Sequence, residues 1–314
     1  MKKLIKVIIS VGMLVGAVWI ASFVVDAART VPSKPSVLTW LPGSAAQYVR
    51  INGLETRYLR EGSGPNLLLL HTFSTEIGHF RKIIPELRKH YTVWALDLPG
   101  FGYSDFSADL VTPEGYADFV SAFIAHFEIT DVTLVGESIG GTIPLVMSAD
   151  EHPEIHKIAA LDPIGAAPKP LARSSKAGSL FHRAVSTPIV GEFVLRMRSA
   201  SASKAVLDGA VADTRSIPTD YFTDLMTIAQ RPEFAKAQLT FIRNAKEWGE
   251  VTGRLADVRA ETLLLWGSQG WATAAQRAAF TAKLPNASAL TLQGCGHFIA
   301  LDCPDAVLAA LMKQ

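Results

Sequence analysis

The chain has 314 residues, of which 49% are hydrophobic and 19% charged, and this composition excludes an intrinsically disordered protein. The formal net charge at pH 7 is only +1, so the chain lacks the basic surface that binds the phosphates of a nucleic acid. Its two cysteines are too few for a disulfide framework and do not have the spacing of metal ligands. We therefore expect neither a nucleic-acid partner nor a bound metal ion.

The first residues form a segment of a different kind from the rest of the chain. Three lysines lie among the first six residues, and residues 7–25 then carry no charge. A membrane-spanning helix needs about 20 apolar residues, whereas a cleaved signal has about 7 to 15, so the length favours a retained anchor over residues 1–29. The positive-inside rule places the amino terminus in the cytoplasm and the catalytic domain on the exoplasmic side. The small-residue pattern at residues 25–27 leaves cleavage and secretion as the alternative.

The next segment predicts a linker followed by a hairpin. Residues 30–45 contain three prolines, which is typical of an extended tether. Residues 47–51 and 54–60 then alternate in polarity on either side of Asn52-Gly53. That dipeptide is a strong signal for a two-residue turn, so the folded domain is predicted to open with a β-hairpin.

Uninterrupted apolar runs alternate with helical stretches through most of the remaining chain. Runs of this kind predict strands that are buried on both faces, in a mostly parallel sheet with helices on both sides. This α/β core is assigned to residues 46–166 and 257–314. The predicted strands are 67–70, 91–96, 132–135, 158–161, 262–266 and 288–292, and the predicted helices include 77–90, 113–127, 273–284 and 304–312.

Residues 167–256 interrupt this alternation. They contain no run that predicts a buried strand, but several amphipathic helical stretches, including 218–230 and 232–248. A structureless loop of that length is uncommon in a compact domain. The interval therefore predicts an inserted helical cap over the carboxyl edge of the sheet.

A candidate nucleophile stands between the strand at 132–135 and the helix that follows it. Ser138 is the central residue of a G-x-S-x-G pattern, with Gly136 and Gly140 on either side. A strained strand-to-helix turn lifts the serine hydroxyl clear of the backbone, and this demands small flanking residues. The pattern predicts a nucleophile elbow with Ser138 at its corner.

Four short motifs, taken together, resemble the α/β-hydrolase superfamily over nearly all of the chain from Gln47 onward. In chain order they are Leu70-His71-Thr72-Phe73, the segment from Leu96 to Asp105 that contains Pro99-Gly100-Phe101-Gly102, the elbow at Ser138, and Gly294-Cys295-Gly296-His297-Phe298. The resemblance implies that His297, after the last predicted strand, is the general base that takes the proton of Ser138. It also implies a structural role for His71 in the oxyanion loop.

The same resemblance implies an oxyanion hole made of the backbone N–H groups of Ile139 and Phe73. The sequence departs here from the common pattern, because Thr72 stands in place of glycine and Ser74 in place of proline. Threonine resists positive φ, so a different path of this loop is expected.

The acid that orients the histidine is missing from its usual position. In most members of the superfamily it follows the strand that corresponds to residues 262–266, where this chain has Gly270. Asp162 is the best replacement, because it ends the neighbouring strand and some members, including haloalkane dehalogenases, carry their acid there. Two alternatives stay open: Asp162 as an ordinary turn residue, and a Ser138–His297 dyad without an acid.

Other carboxylates close to these motifs are interpreted as structural. The side chain of Glu137, beside the nucleophile, should point away from the hydroxyl and make a structural hydrogen bond. Asp97 and Asp105 are interpreted as turn residues. Asp302 and Asp305 match ordinary positions at the start of the final helix.

Cys295 and Cys303 lie eight positions apart around a predicted loop. A disulfide formed in an oxidising compartment and a pair of free thiols both fit the sequence, because spacing along the chain does not fix the distance between two cysteines. The redox compartment is therefore left open.

These features predict a serine hydrolase that cleaves an ester or related acyl bond through an acyl-enzyme, without an organic cofactor. The apolar cap and the anchor suggest a small-molecule acyl substrate of apolar character. The alternatives are a binding protein that has the fold without the chemistry, and a carbon–carbon bond hydrolase or cofactor-free peroxidase on the same framework. The mechanisms of dehalogenases and epoxide hydrolases use an aspartate nucleophile, which this elbow does not offer.

Overall fold

The computed structural model describes residues 2–152, 155–166, 185, 187, 190–197 and 199–313. The strands are β1 (Gln47–Ile51), β2 (Leu54–Glu61), β3 (Asn66–Leu70), β4 (Thr92–Leu96), β5 (Val132–Glu137), β6 (Ile155–Leu161), β7 (Glu261–Gly267) and β8 (Ala287–Leu292). The helices are α1 (Lys2–Ala27), α2 (Ile84–Leu87), α3 (Pro113–His126), α4 (Ile139–Ala149), α5 (Val190–Met197), α6 (Ala200–Asp208), α7 (Thr219–Ile228), α8 (Pro232–Arg243), α9 (Ala245–Glu250), α10 (Ala274–Thr281), α11 (Ile299–Asp302) and α12 (Pro304–Leu311).

The eight strands form one sheet in the order β1-β2-β4-β3-β5-β6-β7-β8. β1 pairs antiparallel with β2, and β2 pairs antiparallel with β4. The pairings from β4 through β3 to β8 are parallel. Asn52 and Gly53 have positive φ values of 47° and 84°, as the predicted two-residue hairpin turn requires. The predicted fold class, a mostly parallel sheet with an antiparallel amino-terminal hairpin, is confirmed.

Both faces of the sheet are buried at β3, β4 and β5, which explains their uninterrupted apolar runs. The edge strand β8 differs from its prediction, because its residues 288–290 are exposed. Successive side chains of a strand point to opposite faces. In β3, Leu68 and Leu70 belong to the core that includes side chains of α3 and α4, whereas Leu67 and Leu69 belong to the core that includes side chains of α2 and α12. The parallel arrangement brings the carboxyl ends of β5, β6 and β7 to one edge of the sheet, where the candidate site lies.

Helices α5 to α9 lie between β6 and β7, within the region predicted as the cap. Leu207 of α6 and Tyr221 of α7 are buried in one cluster with Trp271 and Phe298, which follow β7 and β8. This helical region therefore packs over the carboxyl edge of the sheet, while the domain boundaries stay a prediction. Residues 167–184, 186, 188, 189 and 198 of the predicted cap lie outside the described residues.

The amino-terminal segment forms helix α1, whose last turns contact the cap. The Arg196 guanidinium of α5 lies 3.4 Å from the centre of the Phe23 ring, and its Nη1 donates to Ser22 Oγ at 3.0 Å. In the described part of the chain, no helix combines the length and the apolar character that a membrane crossing needs. The predicted membrane anchor is therefore not supported, and the predicted sidedness stays untested.

A buried ionic network joins the antiparallel part of the sheet to the loops at the site. Arg57 of β2 donates from Nε to Asp97 Oδ2 at 2.6 Å and from Nη2 to Glu76 Oε2 at 2.5 Å. Asp97 also accepts the backbone N–H groups of Ile77 and Tyr103, at 2.8 and 2.7 Å. Burial alone would lower the pKa of Arg57, but the two carboxylates raise it above its ordinary value. Asp97 is thus the centre of a buried network and more than the turn residue that the sequence predicts.

Replacing Arg57 by methionine should strongly destabilise the protein. The change leaves the carboxylates of Asp97 and Glu76 buried without their cation, which typically costs about 3–5 kcal/mol of unfolding free energy. Arg50→Met, at an exposed position of β1, is the matched control and should change stability by less than about 0.5 kcal/mol. Urea denaturation at pH 7 measures both, and equal effects of the two substitutions would contradict the expectation.

Candidate active site

The turn from β5 into α4 has the geometry of a nucleophile elbow. Ser138 adopts φ 58° and ψ −116°, and its N–H donates to Leu161 O of β6 at 2.9 Å. A Cβ on Gly136 would lie 1.9 Å from Gly140 O, and a Cβ on Gly140 would lie 2.0 Å from Leu70 O. Neither position can hold a side chain without moving the backbone. The predicted steric demand on both glycines is therefore present at this turn.

His297 lies in a loop that is fixed on several sides. Its ring stacks on the indole of Trp271, with centroids 3.7 Å apart and planes 14° apart. A disulfide joins Cys295 to Cys303, which settles the pairing that the sequence left open, and it encloses the segment that carries His297. The side chain of His297 is only 2% exposed.

Asp162 reaches His297 from the end of the neighbouring strand. Asp162 Oδ1 lies 3.5 Å from His297 Nδ1, and both side chains are almost completely buried. Asp162 has a positive φ of 41°, and its N–H donates to Leu265 O of β7 at 2.7 Å. Within the described residues, neither nitrogen of His297 has a hydrogen-bond partner. The structure thus brings the acid and the imidazole to ion-pair distance, while the hydrogen bond from Ser138 to His297 is not formed in it.

The glycine at the usual acid position makes room for this carboxylate. A Cβ on Gly270 would lie 2.2 Å from Asp162 Oδ2, which is far below van der Waals contact. Asp162 Oδ2 also accepts the N–H of Gly267 at 3.3 Å. The carboxylate of Asp162 therefore occupies the space that a side chain at position 270 would need.

The loop after β3 carries Phe73, whose N–H is one of the two predicted oxyanion donors. Positive φ falls on Ser74, at 61°, and not on Thr72, in line with the resistance of threonine to that conformation. Gln238 of α8 donates to Ser74 Oγ at 2.8 Å, and the Phe73 ring lies 4.4 Å from the Phe241 ring of the same helix. The Phe73 N–H donates to no backbone carbonyl within the described residues.

The second proposed oxyanion donor is the N–H of Ile139. Ile139 is the first residue of α4, and N–H groups in the first turn of a helix have no intrahelical acceptor. Neither this N–H nor that of Phe73 donates to a backbone carbonyl within the described residues, so both stay candidates for the predicted oxyanion hole.

His71 supports this loop as a neutral ring. Its Nε2 accepts the N–H of Leu98 at 2.9 Å, so the ring proton sits on Nδ1, which donates to Thr72 O at 2.8 Å. Complete burial lowers the pKa of His71 to about 4. The ring is a structural support, as the resemblance implies, and not a second base.

Two side chains around His297 were not singled out from the sequence. Asp302 Oδ2 accepts the N–H groups of Gly296 and Ala212, both at 2.7 Å, and so ties the histidine loop to the cap. It is more than the ordinary helix-start residue that the sequence predicts. Trp271 covers one face of the imidazole. The sequence signal that could have identified it is its place next to Gly270, in the loop after β7. Within the described ranges, no three His, Cys, Asp or Glu side chains are grouped to hold a metal ion.

Comparison with known proteins gives matches over most of the chain. A family model described as alpha/beta hydrolase fold matches residues 65–304. The chain is 26% identical over 280 residues to the dihydrolipoyllysine-residue acetyltransferase component of the acetoin cleaving system of Cupriavidus necator. The aligned residues cover 86% of this chain and 69% of that protein. It is 29% identical over 258 residues to a pimeloyl-(acyl-carrier protein) methyl ester esterase of Xanthomonas campestris pv. campestris, with 80% of this chain and 95% of that protein covered.

Among solved structures, Cfl2 from Burkholderia cenocepacia superimposes with a TM-score of 0.78 at 18% identity, covering 90% of this chain and 99% of that chain. A likeness at this identity supports the fold alone. The esterase among the curated relatives supports a hydrolase.

The buried neutral ring of His71 should make the protein sensitive to acid. Its pKa lies near 4 in the folded chain against an ordinary value of 6.5, so the unfolded chain binds the proton more readily. The contribution of neutral His71 to the free energy of unfolding is fully present above pH 6.5. It is lost as the pH falls towards 4, by about 3 kcal/mol in total. Urea denaturation between pH 7 and 4 should show a shallower loss for His71→Gln than for the wild type. His126→Gln, on the exposed side of α3, should keep the wild-type slope; an unchanged slope for His71→Gln would contradict the assignment.

Proposed function

Because the chain belongs to the alpha/beta hydrolase family, we propose that it is a serine hydrolase that cleaves an ester or related acyl bond through an acyl-enzyme intermediate. The observation that carries this proposal is the buried His297–Asp162 pair, whose Asp162 directly follows Leu161, the residue that accepts the N–H of Ser138 at the elbow. The relative named as a methyl ester esterase supports the same class of reaction.

The proposed chemistry gives each of these groups the same role in acylation and in deacylation. Ser138 Oγ attacks the carbonyl carbon of the substrate while His297 takes its proton. The negative charge that develops on the carbonyl oxygen is stabilised by the N–H groups of Phe73 and Ile139. The tetrahedral intermediate then expels the alcohol, which receives the proton from His297. A water molecule releases the acid by the same two steps.

Asp162 is proposed as the acid that orients the base. Its carboxylate, 3.5 Å from His297 Nδ1, favours the tautomer with a proton on Nδ1 and stabilises the imidazolium that forms during attack. The stack on Trp271 covers one face of the imidazole, and both ring nitrogens are buried without a hydrogen-bond partner among the described residues. Catalytic hydrogen bonds are often loose in unliganded enzymes and tighten when the substrate binds.

Aromatic rings around the oxyanion loop support an apolar acyl substrate. The Phe73 ring packs at 5.5 Å on Phe101 and at 4.4 Å on Phe241, which itself packs at 5.1 Å on Trp248. Ser138 and His297 are each 2% exposed. A substrate therefore needs part of the cap to move before it can reach the hydroxyl.

A fluorophosphonate probe should label the full-length protein at Ser138. Labelling requires an activated serine, so Ser138→Ala and His297→Ala should abolish it. His126→Ala, which changes an exposed histidine of α3, is the control and should label like the wild type. Mass spectrometry of the labelled peptide locates the adduct. A folded wild-type protein that takes no label would favour a binding protein that has the fold without the chemistry.

Removing the carboxylate of Asp162 should lower turnover by about 10² to 10⁴ in Asp162→Asn, as for triad acids elsewhere. Gly270→Ala should also lower turnover, because its methyl group would collide with Asp162 Oδ2. Gly249→Ala is the matched control, since no atom lies within 4 Å of the added Cβ there. Turnover of a p-nitrophenyl ester measures all three variants.

The same assay can move the acid to the position that most family members use. The double variant Asp162→Gly/Gly270→Asp should have a turnover at least about tenfold higher than that of Asp162→Gly. The reason is that the new carboxylate enters the vacated space beside the imidazole. Wild-type turnover in Asp162→Asn would remove Asp162 from the mechanism and leave the acid-free dyad.

A further inference from the structure

Three fully buried polar side chains lie behind the elbow and have no part in the proposed chemistry. They are Glu137 at the end of β5, His79 in the short turn after the oxyanion loop, and Tyr221 of cap helix α7, each 0% exposed. His79 Nε2 pairs with Glu137 Oε2, and His79 Nδ1 lies 3.0 Å from the hydroxyl of Tyr221. The other oxygen of Glu137 accepts the N–H of Ala300 at 3.2 Å.

The directions of these hydrogen bonds follow from the groups involved. A carboxylate only accepts hydrogen bonds, so His79 donates from Nε2 to Glu137, and in the neutral ring Nδ1 accepts the proton of the Tyr221 hydroxyl. Burial raises the pKa of Tyr221 well above its ordinary value, so this hydroxyl keeps its proton. Each polar atom along the chain of bonds from Tyr221 to Ala300 is thereby satisfied.

This chain of bonds joins the parts of the site that must act together. Glu137 is the residue before Ser138, and Ala300 lies three positions after His297 in the first turn of α11. The ring of Phe298, next to His297, packs edge-on against His79 at 5.0 Å. Tyr221, on cap helix α7, connects the cap to His79 through its hydroxyl. One connected set of contacts thus runs from a cap helix to the residues beside the nucleophile and the base.

Stability alone does not account for these groups. Well-packed apolar side chains of similar size are often as stabilising as a buried polar network, because polar and charged groups must first lose their water. We propose that Tyr221, His79 and Glu137 form a positioning relay, which holds the His297 segment against the Ser138 elbow when helix α7 is docked. This inference rests on the proposed function, since it assigns residues that position the base without touching the substrate.

Helix α7 has a second attachment that offers a matched control. Arg81 donates to Asp220 at 2.8 Å and to Asp224 at 2.7 Å, and neither contact involves His79. Weakening this attachment changes the docking of the same helix without breaking the relay. It therefore separates loss of the relay from general loosening of the cap.

The test measures kcat and KM for a p-nitrophenyl ester, and the rate of fluorophosphonate labelling, in the full-length protein. Tyr221→Phe keeps the ring and removes the hydroxyl, so kcat and the labelling rate should fall about tenfold while KM changes less than about twofold. Asp224→Asn should leave kcat within about twofold of the wild type. Glu137→Gln should also lower kcat, and it carries the test by itself if Tyr221→Phe does not fold.

The double variant Tyr221→Phe/Glu137→Gln decides whether the two residues act through one path. If they do, its kcat is no lower than that of the worse single variant, whereas independent effects would multiply. Multiplied effects, or a Tyr221→Phe enzyme with wild-type kcat, would overturn the relay. An equal fall of kcat in Asp224→Asn would overturn it in favour of general cap docking. A wild-type protein that neither turns over an ester nor takes the label overturns the proposed function itself.

Discussion

The candidate site depends on the space available for one carboxylate, that of Asp162, between the carboxyl ends of β6 and β7. Leu161 pairs with Leu265 in the parallel register, so the residue after β6 lies beside the loop after β7. A side chain at Gly270 and the carboxylate of Asp162 would occupy the same volume, because the two atoms would be 2.2 Å apart. Asp162 reaches His297 from the neighbouring strand because residue 270 has no side chain. The absence of a side chain at position 270 and the placement of the Asp162 carboxylate therefore have the same steric cause.

Three of the seven non-glycine residues with positive φ in the described part of the chain lie at this same edge of the sheet. Ser138, Asp162 and Ser74 all adopt positive φ, at 58°, 41° and 61°, although none of them is glycine. Such conformations cost about 1–3 kcal/mol each and persist only where the surroundings enforce them. Ser138 and Asp162 donate their N–H groups to the adjacent strand, and Gln238 of the cap holds the hydroxyl of Ser74. The sheet and the cap thus share the task of holding the reactive geometry.

Local patterns predicted the sheet and the elbow, because each depends on residues that are neighbours in the chain. The run Leu67–Leu70 forms β3 within one residue of its predicted start, and Gly136 and Gly140 lie where the turn has no room for a Cβ. The pairing of Cys295 with Cys303 could not be predicted, since it depends on the path of the loop between them.

The structural hydrogen bond predicted for Glu137 is present, but the partners of the buried polar groups could not be predicted, for the same physical reason. A carboxylate near a turn has the same sequence signature whether its partner is a local N–H or a cation from another strand. The partner of Asp97 is Arg57, 40 residues away, and the partner of Glu137 is His79, 58 residues away. Only the packed sheet brings these pairs together, so their role is a property of the tertiary fold.

The position of His297, the proposed general base, depends on the cap as well as on the sheet. Phe298 N donates to Ala210 O at 2.8 Å, and Asp302 bonds both the histidine loop and Ala212. A substrate that reaches Ser138 by moving this part of the cap also releases the segment that holds His297. We expect proton transfer only after the cap returns, because the Phe298–Ala210 and Asp302–Ala212 contacts that help to hold the His297 segment are made with the cap. On the proposed function, this makes cap closure, and not substrate entry, the event that assembles the catalytic pair.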